Sequence, residues 1–214
     1  MSKKFTESEI ADMLEKLEAM HPDAVCELNY TTPFELLVAV ILSAQCTDRR
    51  VNQVTDKLFK IYNTPEQFAS LDESELEPLI FSCGFYRNKA KNIISASRDI
   101  CLKYGGQVPS DVKSLMTLAG VGKKTANVVY AVAFGGDAIA VDTHVSRLAE
   151  RIGFCDTRDP LKVEEVLNKA LPKDKWSHAH HLLIHHGRYT CHSRMPDCGS
   201  CTICQYCRYY NQKT

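Results

Sequence analysis

With 214 residues, 44% of them apolar and 24% charged, the chain has the make-up of an ordinary globular protein. It is long enough to bury a core, as one large domain or two interleaved ones. Its 26 basic and 26 acidic side chains leave no net charge, so any affinity for a polyanion must come from a local patch. No apolar run approaches the roughly 20 residues that a membrane span needs. Residues 1–6 also lack the apolar stretch of a secretory signal, so a cytoplasmic protein with no membrane partner is expected.

Helix signals dominate the chain. Thr6-Glu7-Ser8-Glu9 is a capping box, followed at helical spacing by Ile10, Met13, Leu14 and Leu17, and His21-Pro22 closes that helix. Thr32-Pro33-Phe34-Glu35 repeats the signal ahead of the apolar segment 34–44. Asp48 starts a helix running towards Tyr62, and Thr64-Pro65 and Asp72 start two short ones. Residues 87–104 read as a longer helix stopped by Gly105-Gly106, and Ser110 or Asp111 opens a short helix that runs into Gly120. Segment 123–134 is helical and ends at Gly135-Gly136. After the brief extended stretch Ile139-Ala140-Val141, Asp142-Thr143 caps a helix through about Ile152. Asp159-Pro160 opens another, and 174–186 forms the last. No alternation of period two is long enough for a sheet, so the expected fold is all-α, built from about ten helices.

Two features carry chemistry. The first is Gly120-Val121-Gly122-Lys123-Lys124-Thr125-Ala126-Asn127, which has the pattern of a helix-hairpin-helix spanning about residues 111–134. Gly120 and Gly122 are expected to allow positive φ and to clear side chains from the path of a phosphate, leaving backbone amides and a helix N-terminus as an anion site. Leu115, Leu118 and Val121 are expected to pack the hairpin. A Walker-type loop is excluded, because the leading glycine and a preceding strand are both missing. Lys123 suits phosphate contact. Lys124, at the positive end of the helix and in a partly desolvated position, suits a nucleophile towards a sugar carbon. A carboxylate is wanted beside it, and Asp142 is the candidate, with helix capping as its plainer role. Between residues 86 and 103, Arg87, Lys89, Lys91, Arg98 and Lys103 face only Asp99, which makes this stretch a candidate part of the same phosphate footprint.

The second feature is Cys191, Cys198, Cys201 and Cys207, spaced C-x6-C-x2-C-x5-C. In a reducing compartment such a cluster reads as a set of metal ligands rather than disulfides. Zinc and a 4Fe–4S cluster both remain open on spacing alone, as does an alternative through Cys201, Cys204 and Cys207. Cys26, Cys46, Cys83, Cys101 and Cys155 are expected to be small buried apolar residues. His178, His180, His181, His185, His186 and His192 read as a partly exposed or core-satisfied set.

In its longer motifs the chain resembles the endonuclease III family of DNA glycosylases. The resemblance rests on Thr32-Pro33-Phe34-Glu35-Leu36-Leu37, Leu42-Ser43-Ala44-Gln45 with Thr47-Asp48, and the hairpin and helix from Leu118 to Val129. Ala140-Val141-Asp142-Thr143-His144, His186-Gly187-Arg188-Tyr189-Thr190-Cys191 and Cys198-Gly199-Ser200-Cys201 complete it. It implies a six-helix barrel domain over 27–136 and an iron–sulfur domain formed by 1–26 with 137–214. It further implies a bifunctional glycosylase and abasic-site lyase acting as a monomer on duplex DNA that holds damaged pyrimidines or abasic sites, in the nucleoid. Lys124 would attack C1′ of a flipped nucleotide, and Asp142 would assist base loss. Cys191, Cys198, Cys201 and Cys207 would hold a 4Fe–4S cluster. Gly120, Val121, Gly122, Lys123 and Thr125 would meet the DNA backbone, Gln45 would fill the gap left by the flipped base, and Phe85 would wedge into the stack. Phe85 stands where leucine is usual in the family, which implies an altered opposite-base preference. Mismatch-specific monofunctional relatives lack the lysine at position 124, so its presence favours the bifunctional reading. A non-catalytic DNA-binding metal protein would leave Lys124 and Asp142 without a joint purpose.

Overall fold

Short-range capping chemistry sets where most helices begin. The computed structural model describes residues 4–212, so part of the segment read for a secretory signal lies outside it. Helix α1 (Glu7–Met20) starts at Thr6, whose side chain accepts from the Glu9 amide while the Glu9 carboxylate returns to the Thr6 amide. Helix α4 (Pro65–Ala69) repeats this reciprocal pair behind Thr64, while α2 (Pro33–Ser43) and α3 (Asp48–Leu58) start with the Thr32 and Thr47 side chains accepting the Glu35 and Arg50 amides. Each such cap contributes about 1 kcal/mol. Next come α5 (Glu73–Ile80), a 3-10 turn (Phe81–Cys83), α6 (Tyr86–Tyr104), α7 (Val112–Leu115) and α8 (Lys123–Phe134). The chain closes with α9 (Thr143–Ile152), α10 (Pro160–Ala170), α11 (Trp176–Tyr189) and α12 (Arg208–Asn211). Among the described residues there is no strand, and the all-α expectation holds.

Two expected lengths change for local reasons, and one short helix was not expected. Helix α3 stops at Leu58, and residues 59–62 continue as turns. Helix α7 ends at Leu115 instead of running to Gly120, because the backbone tightens into Thr117 N–H to Ser114 and Leu118 N–H to Leu115 bonds. The short α12 carried no apolar pattern that would announce it.

The chain divides into two units, Glu27–Gly136 and Met1–Cys26 with Asp137–Thr214. In the first, α2 is apolar all round, buries every residue from 34 to 42, and packs against α3, α6 and α8. Its one acidic residue, Glu35, is satisfied in place by the Thr31 amide at 2.6 Å and hydroxyl at 2.7 Å. In the second, Ile10, Met13, Leu17, Ile139, Val145, Leu148, Val163 and Leu182 form one apolar core from α1, α9, α10 and α11. Helices α9 and α11 approach closely because Gly187 has no side chain. A Cβ there would come within 2.8 Å of His144.

Only Cys83 and Cys155 of the five scattered cysteines are buried, while Cys26, Cys46 and Cys101 are partly exposed. The expectation of uniform burial is corrected: these three lie at the ends or flanks of elements rather than on core faces. Among the described residues no helix is long and apolar enough to cross a membrane.

Candidate active site and thiol cluster

The hairpin is built from the α7–α8 connection. Leu115, Leu118 and Val121 are buried beneath it, and the Val121 amide donates to the Leu118 carbonyl at 3.2 Å. Gly120 takes φ +77°, and a Cβ there would stand 2.9 Å from the Asn92 side chain. The glycine thus permits both the turn and the approach of α6. Gly122 differs from expectation. Its φ of −84° is ordinary extended backbone at the N-cap of α8, and no atom lies within 4 Å of a Cβ placed there. Its lack of a side chain therefore keeps the mouth of the helix open rather than serving the turn. Lys123 and Lys124 occupy the first turn of α8, both exposed, with Thr125 half-buried behind them. The burial expected around the Lys124 amine is absent, since the side chain is exposed.

Gln45 and Phe85 stand apart from every other described residue except glycine. They alone have positive φ, 54° and 47°. For side chains of this size the left-handed region costs roughly 1–2 kcal/mol each. Gln45 is exposed in the turn after α2, and Phe85 is 65% exposed ahead of α6. Both side chains are exposed, so packing against the core does not account for the strain.

Lys89 ties the two segments together. Its ammonium, 5% exposed, donates to the carbonyl of Leu42 at 2.8 Å and to that of Cys83 at 2.7 Å. One bond holds the end of α2 before Gln45, and the other holds the 3-10 turn before Phe85. This overturns the phosphate footprint for Lys89. The rest of that stretch is largely engaged as well: Arg98 donates to the Ala69 and Leu71 carbonyls, Lys103 pairs with Asp99 at 2.9 Å, and Arg87 faces Glu77 at 3.8 Å. Arg87, Lys91 and Lys103 are exposed.

Asp142 lies in the second unit, half-buried at the N-cap of α9, where Oδ1 accepts the Val145 amide at 2.8 Å. The same helix carries Arg147 and Arg151, both buried. Arg147 donates to the carbonyls of Gly187 at 2.8 Å and Cys191 at 3.1 Å. Arg151 donates to Cys191 Sγ at 3.2 Å and to the carbonyls of His192 and Ser193, both at 2.7 Å. Sequence reading passed over this pair, although two arginines four apart on a short helix were its available signal. Burial draws the Arg147 guanidinium below its ordinary value, with Cys191 and Asp142 acting the other way.

Burial pushes Cys201 up to about 11, and Cys207, Cys204 and Cys191 add to the effect. Cys207 is raised by burial and then by Cys191 and Cys198. The Cys198-x2-Cys201 knuckle is ordered by Asp197, whose carboxylate accepts the Ser200 hydroxyl at 2.7 Å. His186 links the loop to α1, with Nε2 3.5 Å from Cys201 Sγ and Nδ1 3.1 Å from His21 Nε2. Among the described residues no three histidine, cysteine or carboxylate groups converge on a single-ion site.

An all-helical scaffold with a glycine hairpin, a lysine at its mouth and a thiol loop defines the class of base-excision DNA repair proteins. Residues 38–173 match the HhH-GPD superfamily of base excision DNA repair proteins. The chain is 52% identical to the endonuclease III of Bacillus subtilis over 91% of its length and 90% of that protein's. It is 45% identical to that of Escherichia coli K12, covering 92% of this chain and 94% of the other. A solved structure of a trapped endonuclease III–DNA covalent intermediate superposes with a TM-score of 0.91 at 49% identity, over 98% of this chain and 99% of that one. The chain belongs to the endonuclease III family. A thermostable thymine-DNA glycosylase, at 24% identity and a TM-score of 0.87, shares the fold.

Proposed function

We propose that this protein is a base-excision DNA glycosylase with abasic-site lyase activity that removes oxidised pyrimidines from duplex DNA, acting as a cytoplasmic, nucleoid-associated monomer. One observation carries the reading. An exposed lysine sits in the first turn of α8 behind the Gly120 hairpin, in a chain 49% identical to a protein caught as a covalent DNA intermediate. The Lys124 amine attacks C1′ of a nucleotide flipped from the stack, the base leaves with its bonding electrons, and a Schiff base forms. β-Elimination then breaks the bond on the 3′ side. Asp142 assists departure of the base and movement of the proton. Hairpin residues Gly120, Val121, Gly122, Lys123 and Thr125 hold the phosphates, Gln45 fills the vacated space, and Phe85 wedges between bases.

Cys191, Cys198, Cys201 and Cys207 fit a 4Fe–4S cluster. Ligating thiolates carry negative charge, which an iron–sulfur core would offset, together with the Arg151 guanidinium that donates to Cys191 Sγ. When bound, the cluster supplies structure to the loop and takes no part in bond breaking. Equal amounts of iron and acid-labile sulfide are expected in purified protein, and stoichiometric zinc from an iron-replete preparation would remove this assignment.

Borohydride trapping on a duplex bearing one thymine glycol tests the catalytic reading. The intact protein is expected to give a covalent adduct and Lys124→Ala none. Full strand cutting by Lys124→Ala would overturn it.

A further inference from the structure

On α11, His186 is 2% exposed and has both ring nitrogens engaged. Nε2 stands 3.5 Å from Cys201 Sγ, and Nδ1 stands 3.1 Å from His21 Nε2. Its backbone serves the same loop, because the His186 carbonyl accepts the Thr190 amide at 3.1 Å and the Cys191 amide at 2.7 Å. One residue is thus bonded at both Cys191 and Cys201. His21 is fixed in turn as the C-cap of α1, where its amide donates to the Leu17 carbonyl at 2.9 Å. The His21 and His186 rings meet edge-on with centroids 5.3 Å apart. Residues beside Cys201 and Cys207 dock on the same helix: Thr202 Oγ1 donates to the Lys16 carbonyl at 3.2 Å, and the Tyr206 hydroxyl donates to Asp12. Between them in the chain, Ile203 is 1% exposed in the apolar core.

We propose that His186, oriented by His21, is a positioning residue for the iron–sulfur cluster, donating Nε2–H to Cys201 and holding that thiolate in place as a ligand. This role rests on the reading of Cys191, Cys198, Cys201 and Cys207 as the cluster ligands. Proton placement follows from the partners. A thiolate that ligates iron has no proton, so the hydrogen between Cys201 and His186 belongs to the ring. With Nε2 protonated, a neutral imidazole accepts at Nδ1, and only one proton fits between nitrogens 3.1 Å apart. His21 therefore donates from Nε2, and both rings stay uncharged, as burial favours.

Donation to sulfur has two consequences. It removes rotational freedom from the Cys201 side chain, and it draws electron density from the thiolate, which raises the reduction potential of a cluster held there. An apolar ring in place of the imidazole would fill the same volume and supply neither effect.

The test uses the loaded protein and four variants. His186→Phe and His21→Phe keep a ring and lose its nitrogens, while His186→Gln and His21→Gln keep a side-chain N–H. Iron release to a chelator is followed by the visible absorbance of the cluster, the potential is read by voltammetry, and circular dichroism checks the fold. Each Phe variant is expected to lose iron about 10–100-fold faster than the parent, at a lowered potential. Each Gln variant is expected to stay near the parent in both. Parental release and potential in His186→Phe overturn the proposal. Phe and Gln variants impaired alike also overturn it, since packing of the side chain would then be what matters. Loss confined to His186→Phe strikes His21 from the role. If His186→Phe does not fold, His21→Phe, at the half-buried end of the pair, decides. Iron and sulfide absent from the parent overturn the ligand reading itself, an outcome distinct from a loaded parent whose variants match it.

Discussion

Asp142 has two roles that one substitution separates. As the N-cap of α9 its carboxylate accepts the Val145 amide, a bond that an asparagine side chain makes equally well. As an assistant to base loss it needs its negative charge. Asp142→Asn is therefore expected to leave unfolding free energy within about 0.5 kcal/mol of the parent, since the cap survives. Base release should slow by a factor on the order of 10² to 10⁴, as for loss of a positioned acid–base group. Urea unfolding and single-turnover excision on the same preparations read the two effects independently, and unchanged excision would reduce Asp142 to a cap. The capping function was legible from Asp142-Thr143 alone. Its proximity to Arg147 was not, because a cap speaks for three or four residues and says nothing about what the helix packs on.

Between elements, the buried ammonium of Lys89 has the largest leverage. It satisfies two carbonyls from segments on either side of α2 and α6, at Leu42 and Cys83. Lys89→Met keeps most of the volume and removes both bonds, leaving two carbonyls to find other partners. A loss of about 1–3 kcal/mol of stability is expected. Excision should fall by about 10-fold or more through misplacement of Gln45 and Phe85, with iron content unchanged. Wild-type excision with lowered stability would restrict Lys89 to the fold. In the sequence Lys89 looked like one of five basic residues on a surface. The helix of 87–104 was readable, but which of its faces turned inward depended on α2 and the 3-10 turn, segments far away in the chain.

Across the whole molecule, buried histidine makes stability depend on pH. Burial, aided by His185 and His178, lowers His181 to about 4 from an ordinary value of 6.5. The unfolded chain takes up its proton near pH 6.5 and the folded protein only near pH 4. Between those values the unfolded state binds more protons, and stability falls as the pH falls through the window. The contribution is about 2 kcal/mol after allowance for partial exposure. Unfolding followed by circular dichroism between pH 7 and 4 is expected to show this decline, flattened in His181→Gln. An equal slope in the variant would place the dependence elsewhere.

What the sequence determined by itself is local. Helix starts at Thr6, Thr32, Thr64, Asp111, Asp142 and Asp159 follow from side-chain bonds to amides three residues on, and the hairpin follows from glycines and leucines a few positions apart. Such interactions close within one turn and leave their mark in adjacent residues. The tertiary structure alone decided that Gly120 and not Gly122 takes the left-handed turn, that Gln45 and Phe85 are both strained, and that Arg147 and Arg151 grip the Cys191 loop. These arrangements join residues tens of positions apart, and their energies depend on burial and packing that exist only once the helices have come together.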